Sequence, residues 1–195
     1  MKINNLNETV ILIDTEYLNE KISESLYFYQ NLYPSKKFQP INLENLLCSF
    51  ANYASVDEIG KNVDILFAFT LSYPNITNCQ PNSLFEFTDN PPNVSMNTDK
   101  GNFILRSFFA DDEETCVEQF INMLNIVYFN KNVKSIIMIA DNSDLNFELA
   151  QMYEAGVTSL LMFHNSHNTE IYIPINYGNI DLPIARSLGL KGSEI

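Results

Sequence analysis

Val10 to Ile13 is an unbroken apolar run, the pattern of a strand covered on both faces. Behind it Leu18, Ile22, Leu26 and Tyr29 recur at helical spacing, which predicts a helix from about Glu16 to Leu32, closed by Pro34. Leu43, Leu46, Leu47, Phe50 and Ala54 mark a second helix with Asn42 as its cap. Val63–Thr70 is the next buried strand, and Phe103–Phe109 a third. Asp111-Asp-Glu-Glu114 then opens a helix whose apolar positions are Val117, Phe120, Ile121, Leu124 and Tyr128. Its acids complement the positive end of the helix dipole.

Val133-Lys-Ser-Ile-Ile-Met-Ile-Ala140 is a further strand that stops at Asp141-Asn-Ser-Asp144. Leu145, Leu149, Met152 and Tyr153 give an amphipathic helix ending at Gly156, a residue suited to the left-handed turn after a helix. Val157–Phe163 is read as a strand. Glu170–Ile175 is read as an edge strand, because Pro174 has no N–H to donate. Ile184–Leu190 suggests a short terminal helix. Strands alternating with helices imply an α/β protein with a parallel, doubly wound sheet.

Between residues 73 and 101 the pattern breaks down. Pro74, Pro81, Pro91 and Pro92 stand among many Asn, Ser and Thr residues, which predicts a long loop with Ser83–Thr88 as a short strand or hairpin arm inside it. The strands on either side need each other, so residues 1–195 are expected to form a single domain carrying a loop insertion at about 73–101.

Composition narrows what such a domain can do. With 46% hydrophobic residues the chain has material for a substantial core. Its formal charge is −13, with only 11 Lys and Arg. A broad basic face for nucleic acid is therefore not expected, since that affinity comes largely from cations neutralising phosphates. Contact with nucleic acid would need a local patch, a metal or a partner subunit. Cys48, Cys79 and Cys116 offer neither a zinc motif nor a disulfide framework, and Cys48 and Cys116 read as small core residues within helices. The N-terminus has no signal-peptide core and no apolar run reaches membrane-spanning length, so a soluble, cytoplasmic protein is expected. The triplets at Asn7, Asn75 and Asn93 carry no weight without secretion.

The chemistry worth weighing is acidic. Asp14 follows the first strand, and Asp141 and Asp144 follow a later one. In open α/β sheets ligands bind beyond the strand C-termini, so carboxylates converging there could hold hard Mg²⁺ or Mn²⁺ through oxygen. Glu114 and Glu118 share a helix face at i and i+4, and Asp112 opens the same helix. The structural explanation competes on equal terms: Asp, Asn and Ser before a helix are preferred caps, worth about 1 kcal/mol each. His164 and His167 lie in a polar loop with no Cys or carboxylate cluster beside them in sequence. Phosphate loops, nucleophile elbows and dinucleotide fingerprints are missing.

The order of these pieces resembles the NYN branch of the PIN-like nucleases. There a first strand ends in Asp, an acidic helix follows in mid-chain, and a later strand ends in a Gly-Asp-Ser-Asp-Phe-like motif before a helix, a Gly and another strand. Val10-Ile-Leu-Ile-Asp14 looks like the first element, and Ile136 through Asp144 to Gly156-Val157 like the last. The resemblance implies a three-layer α/β/α sandwich and a Mg²⁺- or Mn²⁺-dependent endoribonuclease acting on single-stranded or structured RNA. It places Asp14 and Asp144 on the metal, helped by Asp141 and by Asp112 or Glu118, with a metal-bound water attacking the phosphodiester. The sequence departs from the motif. Asp141 stands where Gly is usual and Asn142 where the first Asp belongs, which implies weakened or lost activity.

A second resemblance, of Ile136–Ala140 and Tyr153-Glu-Ala-Gly156-Val, is to the back half of response-regulator receiver domains. Asp14 is followed by Thr15, Ala68-Phe69-Thr70 offers no phosphoacceptor, and Phe163-His164 offers no Lys. What that scaffold leaves is a non-catalytic protein-interaction module, with a protein partner or a homodimer in place of RNA.

Overall fold

A computed structural model describes residues 5–53, 62–70, 75–80, 94–98, 101–109, 115–141, 145–163 and 176–195. The elements in chain order are β1 (Thr9–Asp14), α1 (Thr15–Leu32), β2 (Ile41–Asn42), α2 (Leu43–Tyr53), β3 (Asn62–Phe69), β4 (Cys79–Gln80) and β5 (Val94–Thr98). They continue with β6 (Gly101–Phe109), α3 (Cys116–Tyr128), β7 (Ser135–Ile139), α4 (Asn146–Glu154), β8 (Thr158–Phe163), β9 (Asn176–Asn179) and α5 (Asp181–Ser187).

Seven strands form one mixed sheet in the order β5-β6-β3-β1-β7-β8-β9, parallel throughout except for β5, which runs antiparallel along β6. The chain builds outward from β1 through β3 to β6, then returns to lay β7 on the other side of β1. The gap between the C-terminal tips of β1 and β7 is thus the point where the strand order reverses, the place where open α/β sheets hold ligands.

The apolar run of β1 is explained by burial on both sides. Ile11 and Ile13 pack with Leu18 and Ile22 of α1, Leu46 and Phe50 of α2, and Ile184 of α5. Val10 and Leu12 point the other way, against Phe120 and Leu124 of α3 and Leu149 of α4. Alternate residues along a strand face opposite sides, so one strand serves two cores. The crossover from β1 to β3 carries α1 on one face, and that from β6 to β7, running the opposite way along the sheet, carries α3 on the other. The two therefore share one hand, as the crossover rule requires.

Helix ends follow local chemistry. Asn42 Oδ1 accepts the N–H of Asn45 at the start of α2, as expected of its cap. After α4, Gly156 has φ +75°. Its N–H bonds the Tyr153 carbonyl, and that of Val157 the Met152 carbonyl, the pair of bonds that satisfies the last carbonyls of a helix. Gly189 closes α5 in the same way, with φ +80° and a Leu190 N–H to Ala185 carbonyl bond.

Several expectations need correction. The stretch 73–101 is not loop throughout: Cys79–Gln80 pairs with β2, and Val94–Thr98 extends the main sheet. The described mid-chain helix begins at Cys116 rather than at the acids 111–114, and the terminal helix begins at Asp181 and stops at Ser187. Ser83–Thr88, Asp111 to Glu114, Asn142 to Asp144, His164, His167 and the edge strand expected at 170–175 lie outside the described residues. No helix among the described residues is long and apolar enough to cross a membrane.

Toward the other end of the sheet β3 carries a charge. Asp64 is fully buried. Its carboxylate accepts from the backbone and side-chain N–H groups of Asn7, both at 2.7 Å, and from Arg106 Nε of β6 at 2.8 Å.

Candidate ligand crevice at the sheet switch point

Asp14 is the last residue of β1 and the N-cap of α1. Strand and helix meet with no intervening turn, so the carboxylate sits at once at the switch point and over the helix N-terminus. Oδ1 accepts the N–H of Tyr17 at 3.0 Å, which satisfies one of the donors that every helix start leaves unpaired. Thr15 turns its hydroxyl to the carbonyl of Ala68, near the tip of β3. The structural and functional explanations of Asp14 are therefore compatible: it caps the helix, and it stands where a ligand would bind.

Cys116, the first residue of α3, completes this corner. Its Sγ lies 3.1 Å from Asp14 Oδ1 and 3.2 Å from the Ala68 carbonyl oxygen. One thiol thus ties the tips of β1 and β3 to the start of α3. Residue-type reasoning treated Cys116 as core, and it is indeed buried. The missed signal was topological, because a helix that follows a parallel strand starts at that strand's C-terminal edge and so brings its first residue to the crevice.

Asp141 follows β7 on the other side of the switch point and is exposed. Burial is the main force on Asp14 and raises its pKa; the Tyr17 N–H and the Cys116 thiol pull it back, and the negative charge of Asp141 pushes it up further. The influence of Asp141 is the smallest of these. Burial likewise pushes the Cys116 thiol up to about 12, with the charge of Asp14 as the next cause. The thiol stays protonated at neutral pH and acts as a donor rather than a nucleophile.

Glu118 is differently employed. Its carboxylate accepts from the N–H and the hydroxyl of Thr115 at 2.8 and 2.9 Å, while Thr115 Oγ1 accepts the Glu118 N–H at 3.2 Å. This reciprocal capping box explains why α3 starts where it does. The bonds from Thr115 hold the Glu118 carboxyl below its ordinary pKa. Asp112 and Asp144 lie outside the described residues.

A divalent ion wants several oxygens around one point. Among the described residues no group of three His, Cys, Asp or Glu side chains could hold one. Asp14 and Asp141 alone do not make up a metal site. A nucleotide phosphate fits no better. In doubly wound sheets a phosphate uses the first helix N-terminus behind a glycine-rich turn, and here Asp14 follows β1 directly and its own carboxylate occupies that place.

Compared with known families, the chain matches over residues 3–195 the model of a family described as a family of unknown function, DUF6621, and it belongs to that family. The comparison with curated proteins gave no match, and the comparison with solved structures gave none either.

Proposed function

We propose that the chain is a PIN/NYN-like α/β domain, layered as a helix–sheet–helix sandwich, whose acidic crevice has weakened or lost Mg²⁺- or Mn²⁺-dependent ribonuclease activity. The supporting observation is that Asp14 and Asp141 stand at the C-terminal tips of the two strands that flank the switch point. By the resemblance Asp14 is the first acid of such a site, and Asp141 stands two residues before the Ser143-Asp144 end of the later motif. The weakening is argued from the same corner. Asp14 is buried and already committed to a helix cap and a thiol, Glu118 is committed to Thr115, and Asn142 brings no charge.

The test is thermal unfolding with and without saturating Mn²⁺, run beside incubation with single-stranded RNA. The expected outcome is that Mn²⁺ raises the Tm of the wild type and not of Asp14→Asn, with RNA turnover close to background. If Mn²⁺ moves neither Tm and the RNA survives intact, the nuclease-derived reading should be dropped.

The commitment of Asp14 and Glu118 to helix caps favours a second reading, a non-catalytic interaction module on the same scaffold. In that case the partner is a protein, and the crevice serves only to fix α1 and α3 to the sheet.

A further inference from the structure

Helix α1 has an outer face with an ordered composition. Glu16, Glu20, Glu24, Phe28 and Leu32 follow one another at four-residue steps, and every one of them is exposed. Such a series winds slowly around the helix, and from Glu16 to Leu32 it runs roughly 24 Å. Its first half is carboxylate and its second half is apolar.

Both halves work against the helix taken by itself. Like charges four residues apart weaken a helix. Lys21 offsets this in part, bonding Glu20 at 3.0 Å and Glu24 at 2.9 Å. The apolar half gains little from folding: Phe28 and Leu32 are 59% and 53% exposed. The Phe28 ring is nonetheless held in place, edge-on to Tyr29 at 5.1 Å between centroids. An exposed, positioned apolar cluster next to charge of one sign is the arrangement of an interaction surface.

We propose that this face of α1 docks a basic, apolar-anchored segment of a partner protein. The partner's lysines or arginines would lie along Glu16, Glu20 and Glu24, and its apolar side chains against Phe28 and Leu32. Charge complementarity chooses this occupant. A segment of this chain's own composition, at −13 overall, would bring like charge to the glutamates, and so would RNA. The surface does not depend on whether the crevice binds a metal.

Two synthetic helical peptides test the idea by fluorescence anisotropy. One has lysines along one half and Leu and Phe along the other; the second replaces every lysine with glutamate. The wild type should bind the lysine peptide and not the glutamate peptide. Phe28→Ser with Leu32→Ser should weaken binding at least tenfold, and Glu20→Gln with Glu24→Gln should weaken it and remove most of its salt dependence. Phe147→Ser, an exposed position on α4, should change nothing. Equal binding by all variants would reduce the effect to net charge and overturn the proposal, as would no binding of the lysine peptide. Sedimentation showing a wild-type dimer that Phe28→Ser with Leu32→Ser converts to monomer would also overturn it, by making a second copy the occupant.

Discussion

Two aspartates on neighbouring central strands lie buried at different ends of the sheet, and they are treated in opposite ways. Asp64 is completely enclosed, yet its charge is answered by the Arg106 guanidinium and by two N–H groups of Asn7. Asp14 is 5% exposed and is given neutral donors, a backbone N–H and a thiol, with the charge of Asp141 nearby. A buried carboxylate matched by a cation is a structural joint, here between β3, β6 and the segment before β1. One held by neutral donors and opposed by a like charge is left with unspent electrostatic demand. That difference singles out the Asp14 end of the sheet as the candidate crevice more sharply than the presence of acids alone.

The strongest way to break the comparison is to remove the cation from the joint. Arg106→Ala leaves the Asp64 charge buried with only the Asn7 donors, and removal of one partner of such a pair costs about 3–5 kcal/mol. Urea unfolding should show that loss, with the midpoint falling well below that of the wild type. A cost under about 1 kcal/mol, the range of an exposed ion pair, would mean that Asp64 is not the enclosed charge described here.

Much of the sheet was legible because β1, β3 and β7 carry apolar runs long enough to need burial on both faces. The helix stop at Gly156 and the Asn42 cap were legible because each rests on a local backbone requirement. β5 was not: Val94-Ser-Met-Asn-Thr98 alternates weakly within a Pro- and Asn-rich stretch, and only its partner β6 makes it a strand. The start of α3 was misplaced by giving four consecutive acids more weight than Thr115-x-x-Glu118, a capping-box pattern present in the sequence. The Asp64–Arg106 pair spans 42 residues, and no local rule reaches that far. At the crevice Asp14 and Asp141 were legible as strand-tip acids, whereas Cys116 was hidden, since its role depends on where the fold brings the helix start.

Asp14 itself can be split into its two roles. Asp14→Ala removes the cap and leaves the Cys116 thiol with only the Ala68 carbonyl, and should cost about 1 kcal/mol. Asp14→Asn keeps an acceptor for Tyr17 and gives up the buried charge, so it should cost less than the alanine variant or stabilise. The pH dependence fixes the sign. Folding raises the Asp14 pKa above its ordinary 3.8, so its contribution is fully present below that value and is lost as pH rises through the folded pKa. Asp14→Asn should therefore gain on the wild type between about pH 4 and pH 7. A constant stability difference across that range, measured by urea unfolding at several pH values, would show Asp14 to be no more perturbed than an exposed carboxylate.

The smallest effects concern Glu118, and they separate a cap from a ligand. Thr115→Ala breaks the capping box at its centre and should cost about 1 kcal/mol. Glu118→Gln keeps an oxygen acceptor for the Thr115 N–H while removing the charge, so its unfolding midpoint at neutral pH should lie close to that of the wild type. The lowered Glu118 pKa adds a sign: its contribution is present above the ordinary value of 4.5 and is lost as pH falls through the folded pKa. Any deficit of Glu118→Gln should accordingly shrink in acid. If Glu118 serves only its helix, this variant leaves a Mn²⁺-induced rise in Tm unchanged, whereas Asp14→Asn abolishes it. A Glu118→Gln variant that folds normally but loses the Mn²⁺ response would return Glu118 to the crevice, and with it the mid-chain acid that the described residues do not supply.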